Sequence, residues 1–212
     1  MLSITVGLGL WQLQRLEWKR GLLAEIDRGE AAAPVPLGPS PEAFTRVFIE
    51  GRFEPSTARY GAEVRSLRTS GPVMGARLIT PLDRPGQDTI LVDRGWAPLD
   101  FDATPPTGPV RVEGYVRPPE HVGQLGIADD PAARRFYSLD PVAIGMALGL
   151  TREAPFTVVA LGPPGTVPEP ASSLPRPPND HLTYAITWFG LSIVLVGVFA
   201  AYVRQTLGKV TT

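Results

Sequence analysis

The carboxyl-terminal part of the chain contains one long apolar run, residues 182–203, and this run limits the possible folds more than any other stretch. About 20 apolar residues in a helix cross the hydrocarbon core of a bilayer. Residues 177–180 read Pro-Pro-Asn-Asp, in which the prolines stop a helix from extending backwards and Asn or Asp can cap its first turn. We therefore predict a transmembrane helix over residues 181–203, followed by a tail over residues 204–212.

His181 falls in the first turn of this helix, at the predicted boundary between membrane and water. Because an α-helix has about 3.6 residues per turn, His181, Tyr184, Ala185 and Trp188 share one face. An imidazole beside two aromatic rings suits a flat amphipathic ligand such as haem. An interfacial aromatic belt with His181 as a polar flank explains the same residues. On these residues alone, the belt is the favoured interpretation.

The composition excludes several classes of function. The chain has 212 residues, a formal net charge of -1, no cysteine and two histidines. A near-neutral charge argues against a nucleic-acid partner. The absence of cysteine excludes disulfides, thiol catalysis and thiolate-bound zinc or copper. His121 and His181 are far apart in sequence, so we do not expect a histidine-rich metal cluster.

The amino-terminal residues 1–13 form a second apolar stretch, which is too short to cross a bilayer comfortably. This stretch is either a half-span or a truncated transmembrane segment. We favour truncation because Trp11 resembles an interface anchor that ends a longer span. Residues 14–29 predict an amphipathic helical extension, with Leu16 on its apolar stripe, and residues 30–44 predict a proline-containing linker.

The middle of the chain, residues 45–161, has the pattern of a β-rich domain. Val110–Arg117 alternates cleanly between apolar and polar residues, as a half-buried strand does. Short strands and tight turns predict an antiparallel sheet that is curled or closed on itself. A short helix is predicted between Asp140, as its cap, and Gly149, as its end. Residues 162–180 are rich in proline and predict a stiff tether.

Charge placement gives the predicted orientation. Arg204 and Lys209 follow the second span and indicate a cytoplasmic tail, although Arg15, Lys19 and Arg20 follow the first span. With two spans, both ends lie on one side and the central domain on the other. The predicted fold is therefore a membrane protein with two transmembrane helices, the first short or truncated, flanking an antiparallel β-rich α+β domain on the external, periplasmic side.

Small residues in the second span offer a surface for another helix. Gly197 and Ala201 are four residues apart, a spacing that allows close helix approach. The first span is the expected neighbour, and Gly7 and Gly9 are the candidate matching surface.

Four blocks of sequence, taken in order and spacing, match the pattern of one family. They are LGLWQLQRLEWK at residues 8–19, GRF at 51–53, ILVDRGW at 90–96 and NDHLTYAITWF at 179–189. Together they resemble the Surfeit-locus cytochrome c oxidase assembly factors, and the resemblance covers essentially the whole chain. Members of this family usually carry a longer first span, which again points to truncation at the amino end.

The resemblance implies a multi-pass protein of the bacterial plasma membrane that helps to assemble haem-copper cytochrome c oxidase. It implies no enzymatic activity. The expected role is to bind or position haem a for insertion into subunit I, with subunit I, haem A synthase and the lipid bilayer as partners. The haem-associated histidine of the family falls on His181, which becomes the expected ligand of haem iron, with Tyr184 and Trp188 beside it.

Arg94 is the candidate for contacting the haem propionates, because a guanidinium pairs well with carboxylates. The competing interpretation of residues 93–96 is a turn with solvated Asp93 and Arg94 and with Trp96 in the core. This competing interpretation is favoured, since neighbouring charges are most often surface residues.

Three other functions compete with a haem carrier. The first is a non-haem membrane scaffold that stabilises an oxidase assembly intermediate. The second is a membrane-anchored hydrolase that uses His121 with Asp129 or Asp130, but the chain has no G-x-S-x-G or H-E-x-x-H motif. The third is a fragment of a larger permease, against which the long strand-rich middle argues.

Overall fold

The computed structural model describes residues 1–67, 71–120 and 127–210, so the predicted His121 lies outside the described residues. The chain divides into two compact units. Residues Met1–Arg28 together with Pro175–Thr212 form one, which we call the helical unit, and Gly29–Leu174 form the other, which we call the strand unit.

The strand unit is built on a single eight-stranded sheet. Its strands are β1 (Val35–Pro36), β2 (Arg46–Phe53), β3 (Ala58–Leu67), β4 (Gly71–Asp83), β5 (Thr89–Pro98), β6 (Pro109–Arg117), β7 (Arg135–Phe136) and β8 (Glu153–Ala160). The sheet order is β1-β2-β6-β8-β5-β4-β3-β7, and β2 also pairs with β4. This extra pairing closes β2, β6, β8, β5 and β4 into a five-stranded barrel, so the sheet is closed.

Most neighbouring strands are antiparallel, as the sequence predicts, but three pairs are not. β5 pairs with β8 in parallel, and so do β1 with β2 and β3 with β7. Parallel neighbours need a long connection that brings the chain back in the same direction. Residues 99–152 provide it between β5 and β8, because they contain β6, β7 and a helix. The prediction of a purely antiparallel sheet is therefore wrong for these pairs.

Two apolar clusters lie on opposite faces of the barrel wall. Ile90 and Val92 belong to a cluster with side chains from all five barrel strands, which fills the barrel interior. Leu91 points to the other face and joins Phe136 and Ile144 in the second cluster. The alternation along β5 follows from the two-residue repeat of a strand.

The helix on the outer face of the barrel is α2 (Pro141–Leu148), and its ends are those the sequence predicts. The Asp140 carboxylate accepts from the backbone N–H groups of Val142 and Ala143. Gly149 ends the helix with a φ of 80°, a conformation that glycine adopts without a steric penalty. Ile144 of α2 is fully buried in the second cluster.

The helical unit pairs α1 (Leu2–Ala31) with α3 (His181–Val210). Gln12 contacts His181 and Thr5 contacts Ser192, so the residue numbers rise along one helix as they fall along the other. The two helices are therefore antiparallel. α1 is continuous through the residues that the sequence assigns to a first segment and an amphipathic extension.

One helix in the described ranges is long and apolar enough to cross a membrane, and it lies at His181–Leu207. Its outward side chains are strongly exposed, with Ile193 at 73% and Phe199 at 67% of full exposure. Exposed apolar surface of this extent indicates contact with lipid or with another apolar surface. The first transmembrane span, over residues 1–13, stays a prediction.

The two helices approach closely at Gly9, one of the glycines predicted to form the helix contact. A Cβ atom on Gly9 would lie 2.8 Å from the Phe189 ring, so α1 and α3 touch where Gly9 has no side chain. A Cβ atom on Gly7 or Gly197 would meet nothing within 4 Å. Of the predicted matching surface, Gly9 therefore lies at the helix contact and Gly7 does not, and Gly9 meets the Phe189 ring of α3 instead of Gly197.

Candidate functional site

His181 is the first residue of α3, and its half-buried ring faces α1. The imidazole Nδ1 lies 2.7 Å from Oε1 of Gln12. This is the one hydrogen bond that the structure records for the ring within the described part of the chain. The bond engages Nδ1 and leaves the second ring nitrogen, Nε2, for another partner.

Gln12 is a site residue that the sequence analysis missed. It is 8% exposed and lies on the same buried face of α1 as Gly9 and Leu16. Its apolar neighbour Leu13 is 37% exposed, so apolar character alone does not identify the buried face of α1. The spacing of Gln12 and Leu16 by four residues, which places them on one face, was the available signal.

The aromatic neighbours of His181 differ in exposure. Tyr184 is 56% exposed, Trp188 is half-buried, and Ala185 is buried. The shared helical face is therefore split, with Ala185 at its buried edge and Tyr184 at its exposed edge. A flat ligand beside the His181 ring would meet Tyr184 and Trp188 from the outside of the helix pair.

Asp93 and Trp96 belong to the strand unit and are both fully buried. Arg77 Nε donates to the Asp93 carboxylate at 2.5 Å, and the Gly95 N–H donates to its other oxygen at 3.0 Å. The interpretation of Asp93 as a solvated turn residue is therefore wrong, because the carboxylate is paired on both oxygens. The placement of Trp96 in the core is confirmed.

Arg94 also lies in the strand unit and is partly buried. Its Nη1 donates to the Ala103 carbonyl at 3.0 Å, and its guanidinium lies 5.6 Å from the Phe53 ring centroid. Burial lowers the pKa of the Arg94 guanidinium, which nevertheless stays charged near neutral pH. Its role toward propionates stays a prediction.

The acidic residues considered for a hydrolase have structural partners. Asp129 accepts hydrogen bonds from the backbone N–H groups of Tyr137 and Ser138 and from the Ser138 hydroxyl. Asp130 accepts from the Ala133 N–H at 3.0 Å. Burial raises the pKa of Asp129, but these hydrogen bonds outweigh it and lower the pKa overall. A carboxylate used in this way holds a turn in place and is a weak general base.

A polar cleft of about 430 Å³ in the strand unit does not suit a haem. Its walls include the carboxylates of Glu30 and Glu113, which would repel propionates. Arg46 in the cleft already donates to the carbonyls of Glu30 and Ala32, at 2.5 and 3.1 Å. The cleft also contains no histidine to bind iron.

His181 does fit a haem iron. The described ranges contain no cluster of three or more His, Cys, Asp or Glu residues that could hold a bare metal ion. Haem brings its own four nitrogen ligands, so a single neutral imidazole is enough to anchor it. With Nδ1 hydrogen-bonded and Nε2 available, the donor chemistry at His181 matches this requirement.

The fold and the site define a class of protein that has a closed five-stranded barrel and a long apolar helix. A histidine lies in the first turn of that helix. A model of the SURF1 family matches residues 1–193. The SURF1-like protein of Rickettsia felis is 29% identical, over 97% of this chain and 94% of its own length. Surfeit locus protein 1 is 30% identical in Mus musculus and in Homo sapiens, over 94% and 95% of this chain and 72% and 75% of theirs. The chain belongs to the SURF1 family.

Proposed function

We propose that this protein assembles haem-copper cytochrome c oxidase by binding or positioning haem a for insertion into subunit I. Family membership supports the oxidase as the target. The observation that carries the haem step is the His181 ring, half-buried at the start of an apolar helix, with Nδ1 held and Nε2 available.

In this proposal, the protein is a multi-pass protein of the bacterial plasma membrane. α3 crosses the bilayer, the first span lies at the start of α1, and the strand unit faces the periplasm. Arg204 after the apolar stretch supports a cytoplasmic carboxyl end. His181 then lies at the external boundary of the membrane, where an amphipathic haem has both lipid and water beside it.

The residues at this boundary suit a carrier better than a permanent haem site. His181 would hold the haem iron through a single protein ligand, an arrangement that would permit later release. The 56% exposed ring of Tyr184 and the half-buried Trp188 offer flat apolar surface next to His181. The exposed apolar side of α3 can take the hydrophobic tail of haem a. None of these roles requires a catalytic group.

A scaffold without haem is the second candidate, and one observation favours it. The His181–Gln12 hydrogen bond joins α1 to α3 and satisfies a polar group between two helices without any ligand. In that case the exposed apolar side of α3 contacts the oxidase or haem A synthase directly, and the ring of His181 serves helix pairing alone.

The deciding experiment is a visible spectrum of the purified protein. The protein is produced in a host that also makes haem a, extracted in detergent, and compared with His181→Ala and with His121→Ala as a matched histidine control. We expect a haem a band in the parent and in His121→Ala, and its loss in His181→Ala. A haem-free parent would leave the scaffold, and equal haem in the parent and His181→Ala would place the ligand elsewhere.

A further inference from the structure

We propose that Gln12 is the positioning residue of the His181 site, which fixes the imidazole tautomer so that Nε2 is the iron-binding nitrogen. This inference rests on the proposed haem function and adds a residue from the other helix to it. Its basis is the 2.7 Å contact between His181 Nδ1 and Gln12 Oε1.

The chemistry of the two groups decides where the proton lies. An amide oxygen only accepts hydrogen bonds, so the Nδ1 that contacts it carries the proton and donates. A neutral imidazole has one proton, so Nε2 keeps its lone pair. Iron binds through that lone pair, and a histidine that ligates a metal commonly donates its other N–H to a fixed acceptor.

The packing of α1 fixes Gln12 as an acceptor. Its side chain is 8% exposed, and a buried amide is costly unless it is hydrogen-bonded. One turn away, Gly9 lets the Phe189 ring approach α1 closely. The hydroxyls of Thr5 and Ser192 meet at 2.7 Å further along the same pair. These contacts set the spacing and register of the two helices, and therefore the distance between the Gln12 amide and the His181 ring.

An amide acceptor also sets the strength of the iron ligand. A carboxylate at this position would pull harder on the Nδ1 proton and make the ring a stronger donor to iron. A neutral amide orients the ring without making it a stronger donor to iron. This balance suits a protein that must later release its haem.

The test compares three variants in the full-length detergent-solubilised protein. Gln12→Leu removes the acceptor, Gln12→Glu replaces it with a stronger one, and Gln14→Leu is the matched control at an exposed position of the same helix. The first readout is nitrogen NMR of histidine-labelled protein without haem, with His181 assigned by comparison with His181→Ala. The second readout is haem affinity and reduction potential.

We expect the parent and Gln14→Leu to show His181 protonated at Nδ1, and Gln12→Leu to lose this single tautomer. Haem affinity should fall roughly 10- to 100-fold in Gln12→Leu, the range for removing such a partner. Gln12→Glu should retain haem, with a lower reduction potential. If the variants fail to fold, the nitrogen NMR spectrum of the parent still tests whether His181 is protonated at Nδ1.

Two results would overturn the inference. One is a parent His181 protonated at Nε2, and the other is a Gln12→Leu variant with unchanged tautomer, affinity and potential. Both leave the proposed function intact as long as the parent binds haem through His181. A parent with the Nδ1 tautomer but no haem would instead remove the proposed function and keep Gln12 as the residue that orients the ring.

Discussion

Asp93 in the strand unit and His181 in the helical unit are both polar side chains held by a partner from another element. The fully buried Asp93 has a partner on each carboxylate oxygen, Arg77 on one and the Gly95 backbone on the other. His181 is half-buried and has a recorded partner on one of its two ring nitrogens. The first arrangement is complete within the fold, whereas the second leaves one donor atom for a further ligand.

The difference separates a polar pair that stabilises the fold from one that prepares a site. A buried charge that loses its partner strongly destabilises a fold, so complete pairing is a requirement of stability. A half-buried imidazole carries no such requirement at its second nitrogen. We therefore expect changes at Asp93 to alter unfolding and changes at His181 to alter ligand binding.

The largest expected effect on stability is that of Asp93→Asn. This change leaves the Arg77 guanidinium, whose side chain is 19% exposed, without its anionic partner. We expect a loss of about 3–5 kcal/mol in the free energy of unfolding, which is the cost of breaking a buried ion pair. Denaturant unfolding followed by tryptophan fluorescence measures it, because Trp96 is buried on the same strand.

The control for this prediction is Asp88→Asn. Asp88 pairs with Arg152 at 2.7 Å, but both side chains are well exposed, at 43% and 72%. Exposed pairs contribute about 0–1 kcal/mol. If Asp88→Asn and Asp93→Asn cost the same, complete pairing in the barrel is not what stabilises it.

A larger side chain at Gly9 should destabilise the pairing of α1 with α3. Gly9→Ile places a branched side chain where the Phe189 ring lies, and overpacking of this kind costs about 1–3 kcal/mol. Because the chain has no cysteine, a Thr5→Cys, Ser192→Cys double variant reports the pairing by disulfide formation. We expect Gly9→Ile to reduce this cross-linking.

Gly7→Ile is the matched variant for the same assay. A Cβ atom at Gly7 meets nothing within 4 Å, so cross-linking should stay at the parent level. Equal cross-linking in Gly7→Ile and Gly9→Ile would contradict the register that brings Gln12 to His181.

The smallest expected effect is acid dependence at Asp129. Its pKa is lowered in the folded state, so the ionised carboxylate stabilises the fold above its unfolded pKa of about 3.9. This contribution is lost as the pH falls through the folded pKa. Asp129→Asn should cost about 0.2–1 kcal/mol at neutral pH, because solvent screens a partly exposed carboxylate. As the pH falls below the unfolded pKa and through the lowered folded pKa, the variant and the parent should converge in unfolding free energy, and a constant difference would contradict the assignment.

The sequence predicts the parts of this molecule that depend on local pattern. The cap at Asp140, the end of α2 at Gly149 and the apolar helix beginning at His181 follow from short-range rules, and the structure has all three. The closing pair β2–β4 and the parallel pair β5–β8 join residues distant in sequence, for which local periodicity carries no information.

The same limit applies to Asp93 and to Gln12. Asp93 resembles a turn charge because its partner Arg77 comes from the neighbouring strand. Gln12 is not a predicted site residue, and its partner His181 is 169 residues away. Both depend on pairings that only the folded chain brings together.

The separation of ligand binding from stability is tested by the amount of haem a bound per chain in His181→Ala and in Asp93→Asn, measured at a temperature at which both are folded. We expect His181→Ala to bind none and to unfold its strand unit like the parent. Asp93→Asn should bind the parent amount despite its lower stability. Retained haem in His181→Ala, or haem lost from a folded Asp93→Asn, would contradict the assignment of ligand binding to the helical unit and of stability to the barrel.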